Sequence, residues 1–250
     1  MGFQKGVLRL EGTVGGITFY KGAQGFMARE KGGISKDRIK NDPAFARTRE
    51  NLAEFTSAVK AGKFIRDLLR PLSSGIADGT VSNRLTRIMS AIQKLDAVSD
   101  RGQRNVYTAL QDPTANALLQ GFRFNQNVDI RSVITQPLQL DTTTGEIEYL
   151  EPLVPTNDVV APPGATHVKL QGAVVDMDFS TLTGTTYYSN VQVLPLTSDP
   201  VNIALSIGNL PAATVLRMFL IRVDFRQQVN GSDYNLSNGA YNGLQVLAVG

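Results

Sequence analysis

Leu220-Ile221-Arg222-Val223-Asp224-Phe225-Arg226 alternates apolar and charged side chains with a period of two. Successive side chains of a β-strand point to opposite faces, so this pattern reads as a strand. Ile221, Val223 and Phe225 share one face, and Arg222, Asp224 and Arg226 share the other, where alternating signs predict a local ion-pair ladder. The motif lies in a longer β-prone run, residues 215–228. Outward from it, residues 128–140, 147–150, 167–170, 173–179, 186–194, 203–207 and 244–249 also read as strands. Clusters of Pro, Gly, Asn and Asp separate these runs, which is the signature of a β-sandwich or barrel. Val229-Asn230-Gly231 and Ser237-Asn238-Gly239 are tight-turn sequences that favour positive φ. A polar connection from Pro152 to Pro163 reads as a linker before a final sandwich that starts at about residue 161.

The front half has a different texture. Short β-prone runs at 7–10, 17–20 and 26–29 are punctuated by Gly12, Gly15-Gly16, Gly22 and Gly25. Three such strands bury little, so this meander must dock on the rest of the chain or on a neighbour. Residues 30–41 contain four Lys/Arg, a glycine pair and little to pack, and predict an extended basic arm. Asp42-Pro43 is a helix start: Asp caps, and Pro at the first helical position gives up an N–H that would be unpaired anyway. Phe45, Leu52, Phe55 and Val59 then form an apolar stripe, with Gly62 as a point of weakness and Pro71 at the end. A second helix is predicted over 80–98, with Val81, Leu85, Ile88, Met89, Ile92 and Leu95 on one side. Asp112-Pro113 repeats the cap signal before a short helix ending near Gly121.

These readings define an α+β protein: an N-terminal meander and basic arm at 1–41, a helical region at 42–124, and a β-rich region at 125–250. The last ends in an antiparallel sandwich, for which an immunoglobulin-like arrangement is the candidate. The 250 residues are 42% hydrophobic and contain no cysteine, which excludes disulfide frameworks, thiolate metal sites and cysteine nucleophiles. No apolar stretch reaches membrane-spanning length, and the first residues lack a signal-peptide core, so synthesis in the cytoplasm is expected, with release or incorporation into a particle as the route outward. Charge is unevenly spread along the chain. Residues 1–124 carry 20 Lys/Arg and 11 Asp/Glu, whereas residues 125–250 carry 5 and 11.

Catalytic constellations are hard to find. His167 is the sole histidine and lacks a cysteine or second histidine as a partner. There is no Gly-x-Ser-x-Gly elbow, phosphate loop or His-Glu-x-x-His motif. Gly12-Thr13-Val14-Gly15-Gly16 is glycine-rich, but no helix follows to cradle a phosphate. Asp176 and Asp178 share one strand face, which suits either a solvated sheet face or a calcium site completed by loop oxygens. The main candidate is instead the basic front: Lys21, Arg29, Lys31, Lys36, Arg38, Lys40, Arg47 and Arg49, with Phe19, Tyr20 and Phe26 interleaved. Such a set suits contact with another protein copy or with a polyanion such as single-stranded nucleic acid.

The segments Leu10-Glu-Gly-Thr-Val-Gly-Gly-Ile-Thr-Phe-Tyr-Lys21, Ala28-Arg-Glu-Lys-Gly-Gly-Ile-Ser-Lys-Asp-Arg-Ile39 and Asp42-Pro-Ala-Phe-Ala-Arg-Thr-Arg-Glu-Asn-Leu-Ala-Glu-Phe55 resemble a family of uncharacterised bacterial proteins. The likeness is clearest over roughly the first seventy residues and implies a bacterial or phage-like origin, with no activity, cofactor or site residue to carry over. Together the features predict a non-enzymatic, self-assembling subunit of a filament, tube, shell or phage-like particle, needing no cofactor. Its partners would be other copies of itself, without a membrane. The rivals are a nucleic-acid-binding protein that uses the basic arm and a ligand-binding β-sandwich module. A contact of the basic front on the acidic back of another copy would be heterologous, building rings or open filaments according to its rotation.

Overall fold

The structure is a computed structural model that describes residues 2–6, 8–213 and 215–250. The chain divides into two compact units, Met1–Asn51 and Leu52–Gly250.

The first unit is built on a four-stranded antiparallel sheet. Strands β1 (Gly2–Phe3), β2 (Gly12–Val14), β3 (Ile17–Gly22) and β4 (Gly25–Glu30) are ordered β1-β4-β3-β2. The glycine punctuation acts as expected: Val14 pairs with Ile17 around Gly15-Gly16, with Gly15 at φ 59°, and Gly22 pairs with Gly25. Of the run expected at 7–10, Val7 lies outside the described residues, and Leu8, Arg9 and Leu10 are not in a strand. The leading edge is supplied by Gly2 and Phe3, paired with Ala28 and Met27. The expected extended arm is partly helical. Ser35 accepts a hydrogen bond from the Arg38 N–H at 3.2 Å and starts helix α1 (Lys36–Asn41), with Asp37 in the first turn, where the helix dipole favours an acid. Asp42 then caps the turn Pro43–Phe45 by accepting from the Ala44 N–H at 2.9 Å, and α2 (Ala46–Leu68) follows.

The second unit has three layers. Its middle layer is an antiparallel sheet of β7 (His167–Asp178), β8 (Thr183–Pro195), β10 (Leu216–Val229), β11 (Ser232–Asn235) and β12 (Gly243–Val249). Strand β10 is central, paired with β7 along one side and with β11 and β12 along the other. The β10–β11 hairpin turns through Asn230 and Gly231, both at positive φ, as Val-Asn-Gly predicts. The two runs expected at 167–170 and 173–179 are one strand, whose pairing with β8 shifts register between Gln171 and Ala173.

Both faces of this sheet are covered, which accounts for the long apolar run in β10. Even-numbered Met218 and Leu220 join Ala173, Val175, Met177, Leu244 and Val246 in a core shared with the helices. That helical layer contains α2 from Leu52 onward, α3 (Arg70–Ser73), α4 (Val81–Gln93), α5 (Val106–Ala109) and α6 (Pro113–Asn116). Odd-numbered Phe219, Ile221, Val223 and Phe225 join a second core with Ile147, Tyr149, Leu153 and Leu205. This core is closed by α7 (Ile130–Val133) and a small antiparallel sheet, β5 (Leu138–Leu140), β6 (Ile147–Tyr149) and β9 (Ala204–Leu205), ordered β5-β6-β9. Met218, Phe219, Leu220 and Ile221 are four consecutive buried apolar side chains, each contributing roughly 1.5–3 kcal/mol.

Several local expectations differ from the structure for identifiable reasons. Gly62 does not break α2; it is buried where α4 crosses, and a Cβ there would lie 3.5 Å from the Thr86 nitrogen. Helix α4 stops at Gln93, because Asp96 accepts from the N–H groups of Val98, Ser99 and Asn105 and turns the chain. Within 128–140, Asp129 caps α7 before the strand can begin. The supposed linker after Pro152 contains α8 (Pro155–Asp158), and Leu153, Pro155 and Val159 are buried. Gly172 lets the small sheet approach: a Cβ there would lie 3.1 Å from Ile147 Cδ1.

Candidate interaction surface

The N-terminal sheet is a single layer in which side chains alternate between two faces. Register places Val14, Ile17, Phe19, Lys21, Phe26 and Ala28 on one face and Thr13, Thr18, Tyr20, Met27 and Arg29 on the other. Neither face forms a core: no described residue from Gly2 to Asn51 is buried. Phe3, Val14 and Ile17 are exposed, with Val14 at 66%, while Phe19, Tyr20, Phe26 and Met27 are only half-buried.

The eight basic residues singled out in the sequence divide into two groups. Five have partners. Lys21 lies over the Phe26 ring, which Arg9 also covers at 4.9 Å, and Arg29 lies over Tyr20 at 5.4 Å. Arg38 pairs with Asp42 at 3.1 Å and sits over Phe45, and Arg47 pairs with Glu50 at 2.8 Å. Arg49 donates to the carbonyls of Ile39 and Asp42, both at 2.9 Å, tying the end of α1 to the start of α2. Hydrogen bonds from the Ala44 N–H and Arg38 hold the Asp42 carboxyl below its ordinary range. Lys31, Lys36 and Lys40 are exposed, with no ion pair or ring contact among the described residues.

Helix α2 adds a feature that periodicity alone misassigned. Of the stripe expected to be covered, Leu52 is 52% exposed and Phe55 56% exposed, while Phe45 and Val59 are half-buried. The face that enters the core instead carries Ala58, Ala61, Gly62, Phe64 and Ile65. Small residues let the helix lie close to α4, and Glu54 accepts from the Gly102 N–H at 2.7 Å on a loop packed nearby. A helical period identifies two apolar stripes here, but only packing chooses between them.

The charged residues of β7 and β10 singled out in the sequence, Arg226 aside, are committed to structure. Arg222 grips Asp224 with two bonds of 2.7 and 2.8 Å and donates to the carbonyls of Leu72 and Ser74 at the end of α3. The expected ladder is therefore a buried clamp between sheet and helices, with Asp224 only 1% exposed, and Arg226 is not part of it. Asp176 pairs with Arg217, its cross-strand neighbour, at 2.6 and 2.7 Å. Asp178 instead accepts from the Ser180 and Thr181 hydroxyl and N–H groups, which lower its pKa. The two carboxylates thus do not converge, and no metal-ligating cluster occurs among the described residues. His167 Nδ1 lies 2.9 Å from the Thr166 hydroxyl. Asp78 accepts from the Thr80 hydroxyl and N–H, the Gln126 N–H and Arg84; these outweigh desolvation and bring its pKa down to about 2.

A cleft of about 600 Å³ is lined by Tyr107, Leu110, Asn116, Phe179 and Leu216, and its one side-chain carboxylate, Asp178, is held by the turn just described. No helix among the described residues is long and apolar enough to cross a membrane. No protein-family model matches the sequence, and no curated protein or solved structure is significantly similar to it.

Proposed function

We propose that this chain is a non-enzymatic structural subunit that assembles with copies of itself into a filament, tube, shell or phage-like particle. The observation that carries the reading is the N-terminal sheet: four strands with aromatic and aliphatic side chains on both faces and no buried residue. A sheet normally buries at least one face against another layer, so this one is complete only when something covers it. The exposed Leu52 and Phe55 add apolar surface of the same kind. Sedimentation velocity and electron microscopy over a range of concentrations test the reading. Concentration-dependent association is expected, weakened by Ile17→Asp or Phe55→Asp at unchanged circular dichroism. A particle that stays monomeric at high concentration overturns it.

The basic residues favour one rival, a polyanion-binding surface that would include single-stranded nucleic acid. It has less support, because Phe26 and Tyr20, the rings on which bases would stack, already have the chain's own cations over them. Phosphate contacts would show as a steep loss of oligonucleotide affinity with salt. An immunoglobulin-like ligand-binding sandwich is supported only by the face-to-face packing of two sheets. Helices cover the other face of the larger one.

A further inference from the structure

The layers of the second unit redistribute the charge seen along the chain. The helical part, residues 52–124, carries ten Lys/Arg and six Asp/Glu. The layer on the opposite face of the central sheet is formed by residues 130–166 and 196–213, which contain a single Lys/Arg, Arg131 in α7. They contain six carboxylates: Asp141, Glu146, Glu148, Glu151, Asp158 and Asp199. Glu146 is held by the Ser206 hydroxyl at 2.6 Å and Asp158 by the Val154 N–H at 2.7 Å, but Asp141, Glu148, Glu151 and Asp199 are exposed. Glu148 lies on β6 between the inward-facing Ile147 and Tyr149, so it points away from the core. Leu150 and Val160, on the same layer, are exposed by 59% and 60%. The layer is thus strongly acidic, six carboxylates against Arg131, and bears apolar side chains among its carboxylates.

The N-terminal unit has the complementary character. It carries ten Lys/Arg against five Asp/Glu, exposed apolar side chains on both sheet faces, and Lys31, Lys36 and Lys40 without partners among the described residues. The helical layer is also basic, but several of its cations are already paired, as in Lys63–Asp67–Arg70 and Arg84–Asp78.

Resting on the assembly reading, we infer that the basic N-terminal unit of one copy docks on the acidic β5-β6-β9 layer of a second copy. Apolar side chains supply the contact area, and opposite charge selects the partner face and speeds encounter. The two surfaces differ, so the contact is heterologous. Each copy keeps one free surface of each kind, and the chain of contacts continues until it closes or grows as a fibre.

Two charge-reversed proteins test the inference. Glu148→Lys with Glu151→Lys reverses the layer, and Lys36→Glu with Lys40→Glu reverses the N-terminal unit; all four positions are exposed. At low salt each variant alone is expected to associate at least tenfold more weakly than the unmodified protein. An equimolar mixture should recover assembly, because each variant then meets an opposite surface on the other. As a second readout, carbodiimide coupling of mixed ¹⁴N and ¹⁵N protein should join Lys31, Lys36 or Lys40 of one copy to Glu148 or Glu151 of another, in mixed-isotope peptides. Cross-links confined to single-isotope peptides would mean docking within one chain and overturn the inference, as would coupling through Lys60 or Lys63 of the helical layer. Undiminished assembly of both variants also overturns it while leaving self-assembly standing. A monomeric unmodified protein removes the assembly reading itself.

Discussion

The two principal sheets of this chain are both antiparallel, yet they solve the burial problem in opposite ways. The central sheet places the odd residues of β10 in one core and the even residues in another, so Leu220 and Ile221, adjacent in sequence, are both fully buried. The N-terminal sheet has equally good pairing, from Ile17–Glu30 to Gly22–Gly25, and buries nothing. Backbone hydrogen bonds define both, but the net stabilisation per bond is small, and apolar burial supplies most of what holds a sheet in water. The contrast identifies the central sheet as the element that stabilises its own unit and the N-terminal sheet as one suited to a contact.

Breaking the buried polar clamp should give the largest effect. Arg222→Met leaves Asp224 buried without its cation and two helix-end carbonyls without a donor, so unfolding in urea should show a loss of about 3–5 kcal/mol. Its counterpart in the N-terminal unit, Arg47→Ala at the exposed Arg47–Glu50 pair, should cost less than about 1 kcal/mol. Equal losses would erase the distinction. Ile221→Ala should cost about 2–5 kcal/mol by opening a cavity between sheet and small-sheet layer. Phe19→Ala should leave the main unfolding transition within about 0.5 kcal/mol and act on association instead.

A smaller effect follows from pH. Asp78 has a side chain only 4% exposed and a folded pKa of about 2, against an ordinary value of 3.8. Because the folded value is the lower one, its contribution is fully present above pH 4 and is lost as pH falls through 2. About 1–2 kcal/mol should disappear across that window, and Asp78→Asn should flatten that part of the stability profile. The smallest effect is expected at Gly62, where the space admits a methyl group at ordinary contact distance. Gly62→Ala should raise stability by about 0.5–1 kcal/mol through helix propensity, whereas a loss would show that the α2–α4 approach needs the bare backbone.

Much of the architecture was legible in the residues. Period-two alternation located β10, a β-prone run located β12, glycine pairs and Asn-Gly located the tight turns, and Asp42-Pro43 and Asp112-Pro113 marked helical caps that the side chains do make. These signals are local, depending on φ preferences, one side-chain bond or the pleat, and need no distant partner. Long-range choices were not legible. Leu52 and Phe55 read as core because their spacing is helical, but the sheet packs against the neighbouring stripe of Ala58, Ala61 and Ile65. Ser35 caps a helix inside a segment that composition alone reads as an arm.

By itself, then, the sequence determined the α+β class, most turns and caps, the absence of thiol chemistry and the unequal charge of the two halves. Only the tertiary structure decided that the central sheet is covered on both faces, that Arg222 and Asp224 form a buried clamp, and that the acidic excess gathers on one exposed layer. The reason is physical: periodicity says which side chains share a face, but the neighbour that covers a face comes from residues far away in the chain.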